Sequence, residues 1–128
     1  MSDGKRTLGV LFRPPRFPVI VFGPARVGAA RSLAGLAKVM AALPPSCHGT
    51  DVRIVDPTGE EFWFDAEHSV LSPGFTIRRW TKKRIIDAYN ARPEGRRLPC
   101  RAASLSSRKL GDVVTEICEL ALRAGRGH

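Results

Sequence analysis

The sequence predicts an α+β fold: a small, mostly antiparallel sheet centred on a hairpin over residues 51–65, packed by two to three helices. Three observations carry this. Residues 51–65 (Asp-Val-Arg-Ile-Val-Asp-Pro-Thr-Gly-Glu-Glu-Phe-Trp-Phe-Asp) hold two runs rich in β-branched and aromatic residues around a turn. Apolar residues recur at helical spacing before and after that hairpin. The 128 residues fit a single domain, 1–128, long enough to bury a core without disulfide or metal.

Residues 1–18 are polar and then rich in proline and arginine, ending in Arg13-Pro-Pro-Arg-Phe-Pro18. Proline fixes φ and removes donors, so this reads as an extended N-terminal arm. Val19 to Phe22 is a continuous apolar run and reads as a short buried strand. Gly23 and Pro24 suit the first positions of a helix. Leu33, Leu36, Met40 and Leu43 give that helix its apolar stripe, and Pro44-Pro45 stops it.

Asp56-Pro-Thr-Gly59 carries the residues of a type I turn closed by a glycine at positive φ. If Asp56 faces Glu60, Ile54 pairs with Phe62 and Val52 with Phe64, and their shared face is the core. Arg53 then lies opposite Trp63 on the other face, where a cation–π contact is expected. Ser72-Pro73-Gly74 marks a turn before a further strand over 75–80, and Val70-Leu71 adds a short paired piece. Thr81 is an N-cap, with Trp80 and Ile85 at the spacing of a hydrophobic staple. The helix it starts runs from Lys82 to about Ala91, burying Ile85, Ile86, Ala88 and Tyr89. Residues 92–109 read as a long basic loop. Leu110, Val113, Val114, Ile117, Leu120 and Ala121 mark a final helix to about Arg123.

Charge narrows the function. The chain carries a formal net charge of +9. Residues 76–109 hold eleven Lys and Arg against only Asp87 and Glu94, so this one segment accounts for the whole excess. Asymmetry on that scale points to an acidic partner. Within it, Arg78, Arg79, Lys82, Lys83 and Arg84 surround the Thr81 N-cap. Cations there oppose the helix dipole, and a bound phosphate would reverse the sign of that interaction. Trp80, if its ring is not wholly buried, would stack on a base, and Arg96, Arg97 and Arg101 would track a backbone. The expected function is therefore a non-enzymatic nucleic-acid binding module, DNA or RNA, acting through phosphates. The alternative is an interaction or assembly domain that meets an acidic protein, or pairs with a second copy through the stripe at 33–43 or that of the last helix.

Other chemistries have less to stand on. Gly23-Pro-Ala-Arg-Val-Gly28 after a strand resembles part of the Walker A motif of P-loop nucleotidases. Ala29 and Ala30 stand where Lys and Ser or Thr would be, so nothing from the loop reaches the β/γ-phosphates or holds Mg²⁺. Cys47, His48, His68 and Cys100 lack the ligand spacing of zinc fingers, and no metal or other cofactor is expected. Glu60, Glu61, Asp65 and Glu67 precede His68, a weaker enzymatic reading that requires a pocket. Three scattered cysteines and no C-x-x-C fit a reducing cytoplasm. The apolar run after Lys5-Arg6 ends at Arg13-Pro14, too early for a secretory signal, and the most apolar helical stretch carries Arg26, Arg31 and Lys38, too many charges for a membrane span.

Overall fold

The structure, a computed structural model, describes residues 9–10, 12–23, 26–42, 49–65, 70–74, 79–101 and 107–126. It is a mixed α/β fold. The strands are β1 (Gly9–Val10), β2 (Val19–Phe22), β3 (Val27–Ala30), β4 (Gly49–Val55), β5 (Glu61–Asp65) and β6 (Val70–Pro73). The helices are α1 (Leu33–Ala42), α2 (Lys82–Asn90), α3 (Pro93–Arg97) and α4 (Leu110–Arg126). The strands form one open sheet in the order β1-β6-β5-β4-β2-β3. The sheet is larger than the small one expected, and it is mixed, because β1 runs parallel to β6 while the remaining neighbours pair antiparallel.

Both faces of the sheet are covered, which the hairpin alone did not foretell. On one face Val19, Val21, Ala30, Val52, Ile54, Phe62, Phe64 and Leu71 pack with Leu36 and Met40 of α1. On the other, Ile20, Phe22, Val27, Ala29 and Val55 pack with α2 and α4 through Ile85, Ile86, Tyr89, Val113, Val114 and Ile117. Strand side chains alternate between faces, so Val19-Ile-Val-Phe22 must be apolar at every position to serve two cores. The stripe of α1 is thus turned inward, as is that of α4.

The stretch after Gly23 is the clearest correction. Residues 27–30 are not the first turn of a helix but a strand antiparallel to β2, with Phe22 opposite Val27 and Val19 opposite Ala30. The Gly23 N–H donates to the Arg26 carbonyl at 2.8 Å, next to the Phe22–Val27 pair. Backbone pairing with β2 outweighs the weak helix signal of Gly-Ala-Ala. The helix begins only where Ser32 caps it, its Oγ accepting the Gly35 N–H at 3.0 Å. Residues 27–30 paired in the sheet offer no helix N-terminus to cradle phosphates, so the partial Walker A likeness has no structural counterpart in them.

The 51–65 hairpin forms as its turn chemistry requires. Gly59 has φ +84°, its N–H donates to the Asp56 carbonyl at 2.9 Å, and Asp56 N donates to Glu60 O at 3.1 Å. Ile54 pairs with Phe62. The register then shifts, and Phe64 faces Gly49 rather than Val52, so β4 is irregular between Gly49 and Ile54. Val52 and Phe64 still share the α1-side core. Val70-Leu71 joins the sheet as expected, opposite Asp65 and Phe64.

Three further expectations differ. Ser72 and Pro73, expected in a turn, instead continue β6 opposite Trp63 and Phe62. Arg79 and Trp80 are not in a strand, and the rest of the proposed 75–80 strand lies outside the described residues, apart from Gly74 before it. Within the proposed 92–109 loop, residues 93–97 form α3, which starts with Pro93 at a position where a missing N–H costs nothing. Gly95 is required there: a Cβ would sit 2.0 Å from the Tyr89 carbonyl oxygen.

Candidate functional site

The turn at Asp56–Gly59 is the hub that places the basic segment. Asp56 is 2 % exposed, and its Oδ1 accepts N–H groups of Thr58 and Glu60 and the Thr58 hydroxyl. The Gly59 carbonyl accepts the Trp80 N–H at 2.8 Å, and the Thr58 carbonyl accepts Arg79 Nη1 at 3.2 Å. A Cβ at Gly59 would meet the Trp80 carbonyl at 2.7 Å, so glycine serves both the turn and this close approach. The chain is thereby docked against the hairpin just before α2.

Trp80 is 5 % exposed. Its ring stacks on Phe22 with centroids 5.1 Å apart and planes 7° from parallel, and the Arg84 guanidinium lies 3.8 Å above it. Arg92 sits 4.9 Å from the Phe22 centroid. The indole N–H donates to Glu61 Oε1 at 2.9 Å. No face of Trp80 is left for a base, so the condition for stacking there is not met. Trp63, 38 % exposed, donates its own N–H to Glu61 Oε2 at 2.6 Å. Arg53 meets that same carboxylate oxygen at 3.8 Å, an ion pair in place of the contact expected with the Trp63 ring.

Thr81 caps α2 as its sequence predicts, its Oγ1 accepting the Arg84 N–H at 3.2 Å, and the first turn holds no acidic residue. Lys82 reaches across to the Arg108 carbonyl at 2.7 Å, bringing the start of α4 beside the start of α2. Lys83 pairs with Asp87 along the helix at 2.7 Å. Thr81, Lys83, Arg84, Asp87 and Ala88 line an open depression of about 500 Å³.

Downstream, α3 is anchored by Glu94, which is 2 % exposed and accepts Arg26 Nε at 3.1 Å and the Val27 N–H at 3.2 Å. Burial alone would raise the Glu94 pKa. Hydrogen bonds from its own backbone N–H, Arg26 and Val27 outweigh burial and hold it below its usual 4.5. Arg92 donates twice to the Gly23 carbonyl and once to Ala88. Burial, then Arg53, lower its pKa against the pull of Glu94. Arg96 donates to the Ala91 carbonyl and Arg97 to that of Ala124. Both are exposed, as is Arg101, whose carbonyl accepts Arg108 Nη1. Arg108 also pairs with Glu116. Arg78 lies outside the described residues.

The structure adds residues that sequence reasoning left out. The Arg16 backbone N–H donates to Asp56 Oδ2 at 3.2 Å, and Arg13 pairs with Glu60. The Pro/Arg-rich arm therefore reaches the same turn that holds Arg79, and Arg16 within it is exposed. No local signal in the arm shows this contact. Lys109, exposed at the start of α4, belongs to the same region.

Reactive groups are scarce. Burial pushes the Cys118 thiol up to about 12, with Glu119 adding to it, and burial also raises that of Cys100. Thiols so held are poor nucleophiles. Burial, then Cys100 and Glu94, raise Tyr89 to about 12, and its hydroxyl donates to the Leu98 carbonyl at 2.6 Å. Glu60 and Glu61 are engaged by Arg13 and the two indoles. Glu67, His68, Cys47 and His48 lie outside the described residues. Among the described residues no group of three His, Cys, Asp or Glu is placed to hold a metal ion, and no helix is long and apolar enough to cross a membrane. No family model, curated protein or solved structure matches the chain, and a functional reading therefore rests on this geometry.

Proposed function

We propose that the protein is a non-enzymatic nucleic-acid binding module that grips phosphates on the surface made by Arg79, Lys82, Lys83 and Arg84, continued by Arg96, Arg97 and Arg101. One observation carries this reading. The two carboxylates of the basic segment are already committed: Glu94 is buried against Arg26 and Val27, and Asp87 is paired with Lys83. Arg79, Arg96 and Arg97 instead donate to carbonyl oxygens. A carbonyl fixes a guanidinium in place but carries no net charge to neutralise it. Cations held in position with their charge intact suit a partner that brings several negative charges. The dipole of α2 adds to the same potential.

The test is direct. Purified protein is assayed for co-purifying nucleic acid by absorbance ratio before and after a high-salt wash, then titrated with labelled DNA and RNA across a salt series. Binding that falls steeply with salt supports the reading. The absence of binding to every nucleic acid in low salt, with capture of an acidic protein, would replace it with the interaction-domain alternative.

A further inference from the structure

We infer that the nucleic acid recognised is double-stranded, held by its backbone phosphates, with no base stacked on a ring of residues 76–109. This rests on the proposed function and specifies its partner.

Proteins that bind single strands offer exposed aromatic rings, and each stacked base is worth about 1–3 kcal/mol. Residues 76–109 contain two aromatic residues, Trp80 and Tyr89. Trp80 is 5 % exposed, closed on one face by Phe22 and on the other by Arg84, with its N–H on Glu61. Tyr89 is fully buried, its hydroxyl turned to the Leu98 carbonyl. The segment that carries the charge excess thus has no ring to give a base. Among the described residues, the exposed large aromatic side chains are Phe12, in the N-terminal arm, and Trp63, in β5, both outside residues 76–109.

What remains is a set of guanidinium forks, Arg79, Arg84, Arg96, Arg97 and Arg101, beside Lys83, whose charge is shared with Asp87. These read phosphate. Without stacking, affinity follows the polyelectrolyte term, which is larger for the more densely charged duplex. The log–log salt slope is about 0.9 per phosphate for duplex and about 0.7 for single strands. For about five contacts the slopes differ by about one unit, so the ratio of duplex to single-strand affinity rises roughly tenfold between 1 M and 0.1 M salt.

The experiment compares duplex DNA, duplex RNA and each separated strand at equal length, by anisotropy across a salt series. The Trp63→Phe variant, whose one indole is Trp80, reports stacking by emission in parallel. The expected result is tighter binding of duplex at low salt, with the steeper slope and an affinity ratio that rises roughly tenfold from 1 M to 0.1 M salt, and no quenching by single strands beyond that seen with duplex. Similar affinity for DNA and RNA duplexes supports attraction to phosphate charge whatever the helix form, and a preference for one duplex form supports a fit to its spacing of phosphates across the groove. Equal or tighter binding of single strands, or saturable Trp80 quenching by them alone, overturns the inference while leaving the proposed function standing. Failure of every probe to bind overturns both.

Discussion

The Trp80 indole N–H donates to the Glu61 carboxylate at 2.9 Å, which ties the start of the basic helix to the far strand of the hairpin. The other carboxylate oxygen takes the Trp63 N–H. Glu61 is 6 % exposed, so its loss leaves two indole donors without an acceptor, one of them buried. Glu61→Ala should destabilise the fold by about 2–3 kcal/mol, as removal of a charged buried acceptor does. Glu61→Gln keeps one acceptor oxygen and should cost roughly half as much. Urea unfolding of the two variants checks the order.

The hairpin register gives a second outcome. Phe62 is fully buried opposite Ile54, whereas Trp63 is 38 % exposed. Phe62→Ala should cost about 3–5 kcal/mol. Trp63→Ala should cost clearly less. A costlier Trp63 would mean that the facing of β5 is reversed.

Glu94 supplies a pH dependence. Its folded pKa lies below the ordinary 4.5. A depressed carboxylate contributes stability that is fully present above its unfolded pKa and lost as pH falls through the folded one. The wild type should therefore lose stability progressively as pH falls below about 4.5. Glu94→Gln should be less stable at neutral pH and show a shallower loss over that acid range. Thermal melts from neutral to acid pH decide this. An unchanged acid limb would remove Glu94 as its cause.

How much of this was legible before the structure depends on range. Asp56-Pro-Thr-Gly59 and Thr81 act through bonds within a few residues, and both turn and cap formed as read. The stripe of α4 is strongly periodic, and Val113, Val114 and Ile117 are buried as expected. Residues 27–30 were misread because Val-Gly-Ala-Ala has little intrinsic preference, and only pairing with β2 makes it a strand. The second core was missed because the hairpin was assigned a single buried face, whereas Val55 and Glu61 are buried opposite Ile54 and Phe62. In the candidate site the identity of the cations was legible and their setting was not. Trp80 could be placed at a helix start, but its sandwich between Phe22 and Arg84 depends on a strand sixty residues away. Arg13 and Arg16 looked remote from the basic segment until Asp56 and Glu60 brought the arm to it.

That last contact decides which residues serve as a fair control for the central claim. Arg31 and Lys38 are exposed beside and on α1, and Arg31 pairs with Glu119 rather than with the basic segment. The most direct measurement is the salt dependence of duplex binding for two variants of equal charge, Arg79→Glu with Lys83→Glu and Arg31→Glu with Lys38→Glu. If Arg79 and Lys83 each meet a phosphate, the first variant should lose about 1.8 from the log–log slope and bind far more weakly. The second should keep nearly the wild-type slope. Equal losses in both variants would contradict a local phosphate-binding surface and leave only the general attraction of a basic protein for a polyanion.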